Sequence, residues 1–451
     1  MINIFRGKFF RKRINPARRI AVGFIAIIFF GALILMLPIS SKERVFTPFL
    51  TAIFTSTSAT CVTGLTLINP GEYLSVFGQI ILLIMIQTGG LGFMTILCFA
   101  FVVTNKRIGL RNRLLIAQSV GSESLDGVVG LAKNVFIITI VVEGAGALIM
   151  SLRFIPEFGF FKGLWFSIFH SVSAFCNAGF DIIGDGKSMM SFAQDPLILI
   201  TLAILVITGG LGFIVWTELL QKKTWKKMSV YSRVVLSMSF VLLLLGTVVY
   251  CILEYNNNDT IGNYTISGKL LSSFFQSVTT RTAGFDAINQ SCLTDLSKIW
   301  GTALMMIGGA SASTAGGIKT GTFALVIMTL YTVLRAKSDV VISGRRIKPD
   351  IILHAMALLI LWLLFVITGS LIISYIDNQP VIDAIYETAS AYSTVGLTVG
   401  ISESASVFTK ILLIIYMFFG RVGIMTISVV FMVRSSKETD IEYPDGKFIV
   451  G

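Results

Sequence analysis

Four short stretches bring hydroxyl, thiol, amide and small side chains up to a glycine: SATCVTGL with Gly64, SAFCNAGF with Gly179, VTTRTAGF with Gly284 and SAYSTVGL with Gly396. The glycines lie 115, 105 and 112 residues apart, a period that implies one module used four times. Stripping water from a cation is costly, and a ring of inward-facing carbonyl oxygens can replace its hydration shell. Glycine admits the backbone angles such a loop needs. The candidate ligands are Thr60, Cys61, Val62, Thr63 and Gly64; Cys176, Asn177, Ala178 and Gly179; Thr282, Ala283 and Gly284; and Thr394, Val395 and Gly396. No Asp or Glu occupies the five positions ending at any of these glycines. Carboxylate rings are the other common way to hold cations, so the pattern favours a carbonyl site for a monovalent cation. Asp181 and Asp286 follow two of the glycines and are placed to draw cations toward the mouth. Arg281, three residues before Gly284, is expected to face away and brace the loop against an acid such as Glu387.

A second group of residues suggests control of the path. GGASASTAGGIKTGT, residues 308–322, interrupts an apolar run with almost nothing bulky. One reading is a tight helix crossing packed through small residues. The other is an unwound loop beneath the filter, where irregular backbone lines a cavity. Arg421 lies within the last apolar segment, at the place that Gly90 takes in the first TGGLGF stretch. A charge at membrane depth needs a partner or water, and carbonyls of the unwound segment would supply one. The candidate gate is Gly308, Gly309, Ala310, Ser311, Ala312, Ser313, Thr314, Ala315, Gly316, Gly317, Lys319 and Arg421. Lys319 either approaches the cavity or snorkels to the surface.

Long apolar elements must position these loops. The chain of 451 residues is 54% hydrophobic and 13% charged, with mean hydropathy +0.83. Soluble domains carry about 25% charge, and apolar runs near 20 residues recur, which indicates an integral membrane protein. Eight spans are expected near 20–38, 78–103, 133–150, 196–217, 233–253, 298–334, 351–375 and 409–433, the first retained and not cleaved as a signal. Between the members of each pair sits a run too short to cross: 48–57, 164–175, 270–279 and 381–391. The fold class read from this is an all-α polytopic membrane protein, four pseudo-repeats of span, pore half-helix, filter loop and span around one central pore.

Basic residues cluster in the N-terminus 1–19, the linkers 104–132, 221–232 and 335–350, and the C-terminus 434–451. The positive-inside rule puts all of these in the cytoplasm. The pore repeats occupy 20–103, 133–220, 233–334 and 351–433, with the intramembrane loop at 308–322. The net charge of +12 is thus a topology signal, not a nucleic-acid footprint. Five cysteines without a CxxC pair read as free thiols, and two histidines make a His-based metal site improbable. No phosphate-binding GxxxxGK[ST] segment is present, so no bound nucleotide and no enzymatic activity are expected. The competing class is a secondary cation transporter working by alternating access around broken helices.

The ordered set CVTGL, FCNAGFD, TTRTAGFD and YSTVGLT, with TGGLGF at 88–93 and 208–213, resembles the TrkH/Ktr/HKT superfamily of potassium transporters over nearly the whole chain. The bacterial Ktr membrane subunits are the most similar branch. The resemblance implies a bacterial cell-membrane protein that carries potassium, with the four glycines in its selectivity filter. It also implies that the third-repeat loop and Arg421 form a gate. It implies a homodimer seated on a cytoplasmic ring of KtrA-like nucleotide-binding regulatory subunits, possible activation by sodium, and contact with membrane lipids.

Overall fold

Several helix starts can be traced to a local signal. Pro48 and Pro380 precede α2 (Phe49–Cys61) and α13 (Val381–Ser393). Asp195 caps α6 (Pro196–Gly210) by accepting from the amides of Leu197 and Ile198. Hydroxyls of Ser229, Thr265, Thr294 and Ser406 cap α8 (Val230–Glu254), α9 (Ile266–Thr279), α10 (Asp295–Met306) and α14 (Val407–Phe418). Such oxygens satisfy amides that a helix start leaves unpaired. The other helices are α1 (Pro16–Met36), α3 (Val76–Leu91), α4 (Val128–Phe158), α5 (Phe160–Phe175), α7 (Phe213–Lys222), α11 (Thr320–Leu334) and α12 (Pro349–Asp377). The computed structural model describes residues 16–92, 128–184, 186, 188–222 and 224–423. The expected second half of span two, most of the 104–132 linker, the end of span eight and both termini lie outside the described residues, as does Cys98.

Among the described residues, three helices are long and apolar enough to cross a bilayer alone: Ala132–Phe158, Val230–Glu254 and Pro349–Asp377. At about 1.5 Å per residue they exceed the ~30 Å hydrocarbon core. The half-helices α2, α5, α9 and α13 have 13 to 16 residues and reach only about 20–24 Å at that rise. The first and fourth run further toward their glycines than expected, to Cys61 and Ser393, while the second and third end as expected at Phe175 and Thr279.

The expected fourth span is two helices, α6 and α7, bent by 96°. The bend falls at Gly212, whose φ is +85°. The third repeat breaks between Met306 and Thr320, so Thr320, Gly321 and Thr322 belong to α11 and not to the loop. A two-residue hairpin, Val341–Ile342 with Arg345–Arg346, lies in the 335–350 connection.

The outer surface is apolar, and polar residues are buried inside beside the hydrophobic core. Ile140, Val141, Leu148, Phe240, Ile252, Leu364 and Leu371 point outward and exposed. Thr55, Ser56, Thr57 and Ser58 are wholly buried. Helices in lipid bond their backbones internally and can present apolar side chains outward, which leaves the interior for the polar loops.

Candidate functional site

The four half-helices end in the same backbone figure. Two residues before each filter glycine the chain turns left-handed: Val62 (φ 59°), Asn177 (59°), Thr282 (68°) and Thr394 (52°). Gly64, Gly179, Gly284 and Gly396 themselves have φ of 104°, 68°, 80° and 98°. Only Asn and Gly take such angles readily, so the shared figure is held by its surroundings. The amides of Thr63, Ala178, Ala283 and Val395 donate to the carbonyls of Ser58, Ser173, Thr279 and Ser390, at 2.8 to 2.9 Å. Ser58 and Ser390 Oγ accept from the amides of Gly64 and Gly396. Ser173 and Thr279 hydroxyls donate to the carbonyls just past the other two glycines, Phe180 and Phe285. These bracing hydroxyls were missed in the sequence. The recurring Ser-Ala pairs 58–59, 173–174 and 390–391 were the available signal.

The loops converge on one ring. A Cβ on Gly64 would stand 3.2 Å from Gly396 Cα and 3.3 Å from Gly179 Cα. One on Gly284 would stand 3.0 Å from Gly179 Cα and 3.3 Å from Gly396 Cα. Among the described residues, no hydrogen bond ends on the carbonyl oxygens of the last three residues of any loop, Val62–Gly64, Asn177–Gly179, Thr282–Gly284 or Thr394–Gly396. Buried carbonyls are nearly always paired, so this set is available to a dehydrated cation. The hydroxyls of Thr60, Thr63, Thr282 and Thr394 and the Asn177 amide nitrogen are buried without hydrogen-bond partners too. All four half-helices direct their C-terminal ends here, the ends that carry partial negative charge.

Not every candidate ligand belongs to the ring. Thr60 and Cys61 lie in the last turn of α2, and Cys176 caps α5 with its Sγ 3.3 Å from Gln87 Oε1. Arg281 does not reach Glu387. Its Nη2 donates to the Gly308 carbonyl and to Thr320 Oγ1, both at 3.1 Å. The Glu387 carboxylate is taken by Thr398, Val399 and Ser402. An arginine needs acceptors, and the broken third-repeat helix offers a free carbonyl nearer than any acid. Asp181 is bound to His170 and to the Ile183 amide, while Asp286 keeps a buried carboxylate oxygen without a hydrogen-bond partner.

Under the ring, where the half-helices end, lies the 308–317 segment. It is unwound, which decides between the two sequence readings. Thr314 Oγ1 donates to the Phe175 carbonyl (3.1 Å) and to Asn177 Oδ1 (3.2 Å). Gly316 sits so close to Ser393 and Thr394 that a Cβ would strike both. The loop is stitched to the bend between α6 and α7: the amides of Ala310 and Thr314 donate to the carbonyls of Gly210 and Gly209, and that of Phe213 to Ala312. The Ser311 amide donates to the Tyr231 hydroxyl, and Ser313 Oγ to the Ala310 carbonyl. Lys319 curls back, its Nζ donating to the Ala315 carbonyl at 2.7 Å.

Arg421 is buried in a π-helical turn, Phe419–Gly423. Its Nη1 donates to the Thr314 carbonyl, and its Nη2 to the carbonyls of Gly89 (2.7 Å) and Gly90 (3.2 Å). One guanidinium therefore ties the loop of the third repeat to α3 of the first. The glycines have a separate use. Gly89, Gly209 and Gly420 abut the carbonyls of Thr60, Phe175 and Tyr392, where no Cβ fits. Each lets a second span press against the end of its half-helix.

Residues 14–441 match the family model TrkH, described as a cation transport protein. The Ktr system potassium uptake protein B of Bacillus subtilis (strain 168) is 37% identical over 439 residues, 97% of each chain. The potassium/sodium uptake protein NtpJ of Enterococcus hirae is 37% identical over 446 residues, 98% of each chain. The crystal structure of the potassium transporter TrkH from Vibrio parahaemolyticus has the same fold, with a TM-score of 0.73 at 18% identity over 94% of this chain and 86% of that one.

Proposed function

Because the chain belongs to the TrkH family of cation transport proteins, we propose that it is the potassium-translocating membrane subunit of a Ktr-type uptake system. The ring of four loops is its filter. The 308–317 loop with Arg421 is the gate beneath it. The observation that carries this reading is the set of twelve filter-loop carbonyls that accept no hydrogen bond among the described residues. Together with helix ends pointing at the same ring, they offer an oxygen-lined route without fixed negative side chains. A relative named for potassium uptake supports potassium as the cargo.

In this reading the four repeats span 20–103, 133–220, 233–334 and 351–433, and both termini are cytoplasmic. The basic cytoplasmic segments dock a ring of nucleotide-binding subunits, which bind the nucleotide that this chain does not. The subunit works as a homodimer, and sodium stimulates the uptake. Potassium and sodium flux from the purified protein in liposomes, with and without that soluble ring, tests the proposal. Potassium flux well above sodium flux is expected, and Gly64→Ser should narrow the gap. Equal flux of both ions would instead favour broader transport, the activity in the name of the Enterococcus relative. An unchanged ratio in both Gly64→Ser and Gly179→Ser would remove the ring from the filter role.

A further inference from the structure

The four loops share one figure but are not held alike. Nine residues before the filter glycines stand Thr55, His170, Phe275 and Glu387; two residues after them stand Thr66, Asp181, Asp286 and Thr398. In the second repeat these positions are joined, His170 Nε2 lying 2.9 Å from Asp181 Oδ1. In the fourth they are joined again, with Thr398 Oγ1 donating to Glu387 at 2.8 Å. Different chemistry thus makes the same strap, from the half-helix to the strand that climbs back from the filter.

Neither remaining repeat joins these two positions, although the third ties its half-helix to the returning segment one residue along, through the reciprocal Gln276–Gln290 side-chain pair at 2.7 and 3.2 Å. Thr55 Oγ1 is buried without a hydrogen-bond partner. Phe275 has no group to offer Asp286, whose backbone hangs instead on Ser188 and Met189 of the second repeat. Around the ring the strapped repeats stand opposite each other, because Gly64 and Gly284 each touch both Gly179 and Gly396.

Both straps are built to be stiff. The His170 ring is fixed at its other end, Nδ1 lying 2.7 Å from the Phe166 carbonyl. It is boxed by Phe154, Phe166, Phe169 and Phe285 at centroid distances of 5.7 to 6.3 Å. Excluding water strengthens the polar contact inside. Phe285 directly follows Gly284, so the box also leans on the neighbouring loop. Glu387 is wholly buried and accepts from Thr398, Val399 and Ser402.

We propose that His170–Asp181 and Glu387–Thr398 are specificity-determining straps: they fix two opposed walls of the filter, and that fixed gauge sets discrimination between cations of different size. The first repeat, where Thr55 Oγ1 has no hydrogen-bond partner, is the compliant wall. This deepens the filter reading and rests on it. The four residues act by positioning carbonyls and touch no ion.

The test exchanges one strap for the other in the full-length reconstituted protein, reading the potassium-to-sodium flux ratio. His170→Glu alone sets two carboxylates face to face, and Asp181→Thr alone leaves the histidine without its carboxylate. Each should lower the ratio about tenfold, a difference of about 1.4 kcal/mol. The double variant recreates the pair used by the fourth repeat and should return the ratio to within about threefold of the original. Thr55→Val and Phe275→Leu, at the same position in the repeats where it makes no such bond, should leave it unchanged.

Should the single variants not fold, Thr398→Val carries the test. It removes one donor from a carboxylate that keeps the others, and the ratio should fall severalfold. A double variant no better than the worse single one, or a Thr398→Val ratio equal to that of the original protein, overturns the strap proposal. Intact discrimination in both Gly64→Ser and Gly179→Ser overturns the filter reading itself, so the two failures are distinguishable.

Discussion

The filter ring and the layer beneath it are made from the same four repeats, yet one is nearly fourfold and the other is not. In the ring, four residue pairs share one backbone figure whatever their side chains: Val62, Asn177, Thr282 and Thr394 turn left-handed alike. One layer below, equivalent positions hold Gly90, Gly210, Gly309 and Arg421. There the second repeat bends, the third unwinds and the fourth supplies a cation that reaches across to the first and third. The difference separates two demands. Replacing a water shell needs equal oxygens from every side. Obstructing a path needs one element that can move and one that holds it.

Substitutions can break this comparison in graded ways. The largest effect is expected in the ring. A Cβ on Gly284 would meet the Val395 carbonyl at 2.5 Å, with φ at +80°. Gly284→Val should therefore cut potassium flux by about two orders of magnitude, equivalent to about 3 kcal/mol, as measured by ion uptake into vesicles carrying equal amounts of protein. Flux within a few-fold of the original would mean that the ring is not the narrow point.

Next comes the layer below. Deleting 311–317 should raise flux without the soluble partner by about tenfold, if the loop blocks a path whose removal is worth ~1.4 kcal/mol. Arg421→Ala should act in the same direction but less, since the loop keeps its bonds to Gly209 and Gly210. Combined, the two changes should be less than additive, because they share the Thr314 contact. If both variants fold normally yet conduct like the original and depend fully on the partner, the gate lies elsewhere.

Smaller still is Gly209→Ala. Its methyl would strike the Phe175 carbonyl and crowd Thr314 and Asn177. It should lower thermal stability in detergent by the ~1–3 kcal/mol typical of overpacking, and selectivity should not change. The smallest effect belongs to Val62→Thr, the residue found at that position in the third and fourth loops. The backbone figure is common to all four loops, so the potassium-to-sodium ratio should stay within about twofold of the original, less than ~0.5 kcal/mol. A larger shift would show that this side chain, and not the shared backbone, matters.

The ring was legible in the sequence because its chemistry demands glycine at a fixed column, and four glycines recurred in one topological slot. Other features were hidden for physical reasons. Residues 58–61 were expected beyond the end of the half-helix, yet the helix runs to Cys61, and within it Thr57 bonds back to the Ile53 carbonyl and Ser56 to that of Ile28. Hydroxyls satisfied in this way let a polar helix sit in a polar interior. The bend at Gly212 was invisible because TGGLGF reads equally well as helix packing or as a break. The partner expected for Arg281 was a carboxylate because charge suggests charge. The actual acceptors are a carbonyl exposed by unwinding and a threonine hydroxyl, and neither leaves a mark in the letters. Asp181 was expected to attract cations, and its tie to His170 joins two residues of one repeat that the fold of the loop brings together.

The closure of the ring also constrains how the protein is made. Its four glycines are spread from residue 64 to residue 396, and Gly284 and Gly64 each lean on Gly396. A ribosome that has released three repeats into the membrane has therefore made no filter, only three walls of one. The loop at 308–317 precedes the fourth wall in the chain, and Arg421 follows it. By the time the last wall arrives the loop beneath it is already synthesised, and the arginine that binds the loop emerges shortly afterwards. A chain interrupted before residue 396 therefore lacks one side of the ring.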